Sequence, residues 1–240
     1  MSALTKTRFL APTRPVVGQT SGLSIVVLAS NPNYRMKSYG PACLIKDSEG
    51  VSILERQVRN FREEFNDFEI IVVGGFDIDK LVRNKPSSVR IVENCRYEQT
   101  GEVEDIRLAI NNALYESILI VHGDMYFSSP ALRNFTKHSS LAVDYCKRMR
   151  EEDVGATIVN NEITILSLSL KEHLWAKMSF FKDREFKLLK QFVNNRSNEK
   201  LFLFEAINHI LEEGAKFIPH EIKGNEKLVH VDNNEMLNRI

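Results

Sequence analysis

The chain is short of cysteine. Of its 240 residues only Cys43, Cys95 and Cys146 are thiols, and no C-x-x-C pair occurs. An odd, widely spaced set excludes a disulfide framework and fits a reducing compartment, with all three thiols read as packing residues. No apolar run approaches the ~20 residues that a membrane helix needs. Residues 1–22 are polar, contain proline and some basic side chains, and lack the continuous apolar stretch of a secretory leader. A loosely ordered N-terminal arm is expected there, and a cytoplasmic location follows. An excess of one charge is also missing: 32 Lys and Arg face 32 Asp and Glu. That balance gives no electrostatic reason to expect nucleic acid or an anionic membrane as partner. His209 and His220 form no zinc spacing. Gly74-Gly75 follows a strand-like run without the G-x-G-x-x-G pattern of a dinucleotide site.

What is present is an alternation of strand and helix signals. Residues 23–29, 69–73, 89–92 and 118–121 are short β-branched or aliphatic runs. Between them lie helical patterns. One is opened by Ser52 and Glu55 in capping-box spacing and carries Ile53, Leu54, Val58, Phe61 and Phe65. A second, short one covers 77–84, and a third covers 102–115 with Val103, Ile106, Ile110 and Leu114 on one face. This order predicts a parallel sheet with right-handed crossovers. The second half predicts a hairpin of 154–159 and 163–170 turning at Asn160-Asn161, a long helix over 171–194, a helix over 201–212, a strand over 217–222 and a closing segment over 231–240. Trp175, Phe180 and Phe181 read as core or interface residues of that long helix, and the charged stretch 148–153 as a solvated face. With no linker, repeat or low-complexity segment, residues 23–240 are expected to form one α/β domain, three-layered (α/β/α) around a mostly parallel central sheet.

Asp124 is the most informative single residue. It ends the run Ile118-Leu119-Ile120-Val121-His122-Gly123-Asp124, and a carboxylate just past a buried strand lies where open α/β sheets bind ligands. It is a candidate ligand for a hard divalent cation, with a turn cap as the plainer role. His122 reads as a packing or hydrogen-bonding residue at the strand end. The segment 30–50 is longer than the usual connection of about 4–6 residues, which marks it as a functional loop or a disordered one.

That loop begins Leu28-Ala29-Ser30-Asn31-Pro32-Asn33-Tyr34-Arg35-Met36, followed by Pro41, Leu44, Gly50 and Leu54-Glu55-Arg56-Gln57. In order and position this resembles the sugar-phosphate nucleotidyltransferases, a family with a molybdenum-cofactor-guanylyltransferase-like, GT-A-like fold. Their loop reads roughly L-A-x-G-x-G-x-R-M, then P-K-x-L, then G and L-x-x-Q. The stretch 94–107, with Tyr97 and Thr100-Gly101, resembles the family segment that touches the base. Gly123-Asp124 resembles its magnesium-binding G-D. Residues 204–208, Gly214 and then Val229-His230-Val231-Asp232 through Leu237 resemble its closing V-D-x-x-x-D/E-L.

The resemblance implies a nucleotide-diphospho-sugar transferase-like fold. It also implies a reaction in which a small phosphorylated substrate attacks a nucleoside triphosphate and pyrophosphate leaves. By resemblance, Leu28, Ala29, Ser30, Asn31, Arg35, Thr100, Gly101 and Gly123 would contact the nucleotide. Asp124 and Asp232 would hold Mg²⁺, and Arg35 and Asp124 would serve the chemistry. The residues alone leave other roles open: Asp232 as N-cap of a final helix, and Arg35 as a surface ion-pair partner. Departures from the pattern are Asn31, Pro32 and Asn33 in place of the glycine loop, and Ala42 in place of the lysine after Pro41, for which Lys37 or Lys46 are the substitutes in sequence. Asparagine tolerates left-handed backbone, so the turn could survive. Two other readings stay open. One is a nucleotide-sugar-dependent glycosyltransferase, although Asp124-Met125-Tyr126 is not D-x-D. The other is an impaired member that binds a nucleotide or a protein without turnover. A homodimer is an open expectation.

Overall fold

A computed structural model describes residues 22–145, 149–168, 170–223, 226 and 228–240. Most of the predicted N-terminal arm, and Cys146, lie outside these residues. Along the chain the first half runs β1 (Leu23–Ala29), α1 (Ile53–Glu64), β2 (Phe68–Gly74), α2 (Ile78–Asn84), β3 (Val89–Glu93), α3 (Glu102–Ile110), β4 (Ile118–His122) and β5 (Met125–Phe127). The second half runs β6 (Ser140–Asp144), β7 (Gly155–Val159), β8 (Glu162–Ser167), β9 (His173–Phe181), α4 (Asp183–Asn194), α5 (Leu203–Glu212), β10 (Ile218–Glu221), β11 (Leu228–His230) and α6 (Asn234–Leu237).

The aliphatic runs of β1, β2 and β4 lie side by side, because residues with no polar side face can only be buried on both sides. The main sheet has the order β10-β6-β9-β4-β1-β2-β3, with the β7–β8 hairpin attached to β9. Strands β1 to β4 are mutually parallel where they pair, and β9 runs antiparallel between β4 and β6. Successive side chains separate into two cores. Val26, Leu28, Ile71, Val73, Ile118 and Ile120 pack under α3, α4 and α5. Ile25, Val27, Ile70, Val72, Leu119 and Val121 pack under α1 and α2. The three-layer, mostly parallel arrangement expected from sequence is the one present.

Three predicted elements differ. The long helix over 171–194 is wrong in its first half: His173–Phe181 is strand β9, and the helix begins only at Asp183. The strand is buried on both faces, with Trp175 and Phe181 in one core and Met178 and Phe180 in the other. It therefore shows no alternation, and periodicity does not separate such a strand from a buried helix. The left-handed backbone of Asp183 (φ 49°) breaks the chain between the two. Helix α3 stops at Ile110, short of residue 115. The loop 30–50 contains two short 3-10 turns, Tyr34–Tyr39 and Ala42–Leu44, pinned by Met36 and Ile45 in a third core with Ile53, Val231 and Ile240. Strand β6 and the β5–β11 ribbon were not read from the sequence. Cys43 is buried as expected, and burial pushes its thiol up to about 12, but Cys95 is exposed and is no packing residue.

Candidate functional site

The parallel pairing of β1 with β4 sets Leu28 beside His122, so both strands deliver their C-terminal ends to one edge of the sheet. There, Leu28, Ala29, Ser30, Asn31, Arg35, Gly123, Asp124 and Asp232 line a single cleft of about 350 Å³. Gly123 donates its N–H to Leu28 O at 2.8 Å. A Cβ at Gly123 would lie 3.0 Å from that oxygen and 3.1 Å from the Cβ atoms of Ala29 and Cys43, so a side chain there would pry the two strand ends apart.

Asp232 reaches the cleft through a separate device. Strand β11 pairs antiparallel with β5, with His230 opposite Met125, and Val231 N–H donates to Asp124 O at 2.9 Å. The carboxyl groups of Asp124 and Asp232 consequently flank one imidazole. Asp124 Oδ2 lies 2.8 Å from His230 Nε2, and Asp232 Oδ2 lies 3.6 Å from His230 Nδ1. Arg150 Nη1 donates to Asp232 Oδ2, and Asn233 Nδ2 donates to Asp232 Oδ1 at 2.8 Å. The capping roles of Asp124 and Asp232 do not hold. The N-cap of α6 is Asn233, whose side chain accepts from Met236 N–H, and the Asp124 carboxylate bonds His230 rather than its own turn. Arg35 is exposed and pairs with Glu152 at 3.2 Å while lining the cleft.

Burial alone would raise the Asp124 carboxyl. His230 and Lys177, with the His230 hydrogen bond, outweigh it and hold the group well below the usual carboxylate range. Asp124 Oδ1 is buried and has no hydrogen-bond partner. Among the described residues no cluster of three or more His, Cys, Asp or Glu is arranged around a metal position. That donor set still fits Mg²⁺, which is commonly held by one or two carboxylates together with water and substrate phosphates.

The turn that carries Asp124 is clamped from α1. Gln57 Nε2 donates to His122 O at 3.0 Å and to Met125 O at 2.7 Å, and Asn60 Nδ2 donates to Phe127 O. Gln57 is the last residue of the L-x-x-Q stretch, so the signal for it was in the sequence. Thr100 and Gly101 lie outside the cleft lining. Thr100 bonds Asn94 and Arg96 O, and Gly101 packs against the backbone of Lys200 and Leu201, where a Cβ would meet oxygens at 2.4–2.5 Å. The next residue, Glu102, does line the cleft. Neither Asn31 nor Asn33 takes up left-handed backbone. Asn33 instead ties the loop to the β11–α6 junction, its Nδ2 donating to Val231 O at 3.2 Å. Lys37 lies over the Phe76 ring, and Lys46 bridges to Ser52; neither lines the cleft. Arg150, read from sequence as part of a solvated face, is half-buried against Asp153 and Asp232.

Asp105 forms part of the cleft wall, bonded by Ser30 Oγ and by Asn94 Nδ2. Burial raises its carboxyl to about 7, against the downward pull of those two hydrogen bonds. The folded state therefore keeps a proton that the unfolded chain has released from near pH 4 upward. Stability attributable to this group falls as pH rises from about 4 to about 7 and is flat above that. Asp105→Asn is expected to flatten that decline and to raise Tm at pH 8; a Tm–pH series on both proteins checks it.

No family model and no curated protein matches the sequence. Solved structures do match. The CTP:phosphocholine cytidylyltransferase from Streptococcus pneumoniae superposes with a TM-score of 0.75 at 18% identity, over 91% of this chain and 97% of that one. The inositol-1-phosphate CTP transferase from T. maritima gives 0.72 at 17%, over 90% and 91%. The nucleoside-diphosphate-sugar pyrophosphorylase from Vibrio cholerae gives 0.65 at 16%, over 90% and 100%. At these identities the likeness establishes the fold, the same α/β fold that these proteins share.

Proposed function

We propose that this chain is a magnesium-dependent nucleotidyltransferase that joins a nucleoside triphosphate to a sugar phosphate or a similar small phosphorylated substrate and releases pyrophosphate. The observation that carries the reading is the convergence of Asp124 and Asp232 on one imidazole, at the mouth of a parallel sheet with this fold. In the reaction the phosphate oxygen of the co-substrate attacks the α-phosphorus, and the bond to pyrophosphate breaks. The nucleophile is already anionic, so no general base is needed; positioning and charge neutralisation are the work of the site. Asp124 and Asp232 would hold Mg²⁺, whose charge would polarise the α-phosphate. Backbone from Leu28 to Asn31 lines the base and ribose, and the lack of a side chain at Gly123 keeps the strand ends close. Arg35 exchanges Glu152 for the triphosphate, which its guanidinium can bind bidentately. Thr100 and Gly101, which lie in the segment that resembles the base-contacting one but outside the cleft lining, are given no contact to the nucleotide in this reading.

The test is pyrophosphate release by the purified chain with Mg²⁺, each of the four common triphosphates, and a panel of phosphocholine, inositol 1-phosphate and hexose 1-phosphates. Release with one pairing is expected. A second reading, nucleotide binding without turnover, draws on Pro32, which offers no N–H to a phosphate, and on the commitment of Asp232 to Arg150. Stabilisation by a nucleotide with no pyrophosphate from any pairing would favour it.

A further inference from the structure

Lys177 occupies a conformation that a lysine rarely adopts. Its φ is 54°, in the middle of strand β9. Between the pairs Leu141↔Ser179 and Val143↔Trp175, β6 advances two residues while β9 advances four, so β9 bulges, and Lys177 is at the centre of the bulge. Left-handed backbone is unfavourable for a residue with a Cβ, and such positions persist where the surroundings over-determine them. Here the bulge turns the side chain into the cleft, where Nζ stops 3.1 Å from His230 Nε2.

That contact does not satisfy the ammonium. Asp124 Oδ2, the oxygen of an ionised carboxylate, only accepts, so His230 Nε2 is a protonated, donating nitrogen. The ring proton then sits on Nε2 and is donated to Asp124 Oδ2 at 2.8 Å. Nε2 has no lone pair left for Lys177. Asp124 is the carboxylate that faces Nζ, and its Oδ2 is bonded to His230 rather than to the ammonium. The other cations at this end of the cleft are engaged, Arg35 with Glu152 and Arg150 with Asp153 and Asp232.

We propose that Lys177 is a phosphate-binding residue of this cleft, the ammonium that meets a phosphate or pyrophosphate group of the ligand. The assignment deepens the nucleotidyltransferase reading and rests on it for the identity of the ligand, but not for the binding itself. It also accounts for the absence of a lysine after Pro41: a cation comes from β9 instead of from the loop.

The test is calorimetric titration of the full chain, wild type and Lys177→Gly, Lys177→Met and Lys177→Arg, with inorganic pyrophosphate and, separately, inorganic phosphate. Wild type is expected to bind at least one of the two. Lys177→Met and Lys177→Gly are expected to bind it about 10-fold or more weakly, the loss of one charge-assisted hydrogen bond, and Lys177→Arg to retain most of the affinity. Loss confined to pyrophosphate places Lys177 at the leaving group; loss confined to phosphate places it at the co-substrate. Lys177→Gly relieves the backbone angle while giving up a cation that faces Asp124, so its Tm is expected to stay within a few degrees of that of wild type and above that of Lys177→Met; weakened binding in a variant folded at the titration temperature does not reflect unfolding. Equal affinity of wild type and Lys177→Met, or no binding of either anion by wild type, overturns the assignment. Lysine-dependent anion binding in a chain that releases no pyrophosphate from any pairing upholds it while removing the transferase reading.

Discussion

Asp124→Asn is expected to lower pyrophosphate release by at least ~10²-fold, the scale seen when one preorganised electrostatic contact to a developing charge is removed. The substitution keeps size and shape and removes the charge. Wild-type Asp124 is ionised throughout the neutral range because His230 and Lys177 face it, and its Oδ1 is buried without a hydrogen-bond partner. With asparagine the Lys177 ammonium loses its nearby counter-charge, and a loss of about 1–3 kcal/mol in stability accompanies the loss of activity. Two measurements separate these effects: kcat at saturating Mg²⁺, and the unfolding midpoint in denaturant without ligand. A variant with wild-type kcat would remove Asp124 from the chemistry.

The largest purely structural effect is expected at Gln57. Its side-chain amide, 1% exposed, is shared between His122 O and Met125 O on either side of Gly123-Asp124. Gln57→Leu keeps the bulk and leaves both carbonyls without that donor. At about 1–3 kcal/mol for each of the two unsatisfied buried carbonyls, and about 2–4 °C of Tm per kcal/mol for a chain of this size, a fall on the order of 4–24 °C is expected. Because the clamp holds the turn beneath Asp124, kcat is expected to fall as well. Gln57→Glu serves as the control: an ionised glutamate fits the space, cannot donate, and is expected to be at least as damaging.

Much of the fold was legible because several local signals agreed. The aliphatic runs at Leu23–Ala29 and Ile118–His122 can be satisfied only by burial on both faces. Ser52 and Glu55 form the reciprocal cap that their spacing announced, Glu55 N–H donating to Ser52 Oγ at 3.2 Å and Ser52 N–H to Glu55 Oε2 at 2.9 Å. Asn160 and Asn161, at φ 50° and 61°, make the tight turn expected of that pair between β7 and β8. Strand β9 is covered on both faces as well, but His173–Phe181 holds no β-branched residue to mark it as a strand.

The site divides along similar lines. Asp124 could be singled out from the end of an apolar run, whereas its meeting with Asp232, 108 residues further along the chain, came from resemblance and not from spacing. Lys177, Arg150 and His230 gave no usable signal. Their roles depend on a bulge in β9, a ribbon between β5 and β11, and a loop that folds back on Asp232. Each is a product of tertiary packing with no local pattern of its own.

The most direct measurement is ³¹P NMR of the chain incubated with Mg²⁺, the triphosphate that gives pyrophosphate release, and its phosphorylated partner. Attack at the α-phosphorus is expected to replace the three triphosphate resonances with inorganic pyrophosphate and a pair of mutually coupled doublets from a new phosphoanhydride joining nucleotide to co-substrate. Formation of nucleoside diphosphate with inorganic phosphate, or an unchanged spectrum for every triphosphate and partner tried, would contradict the account.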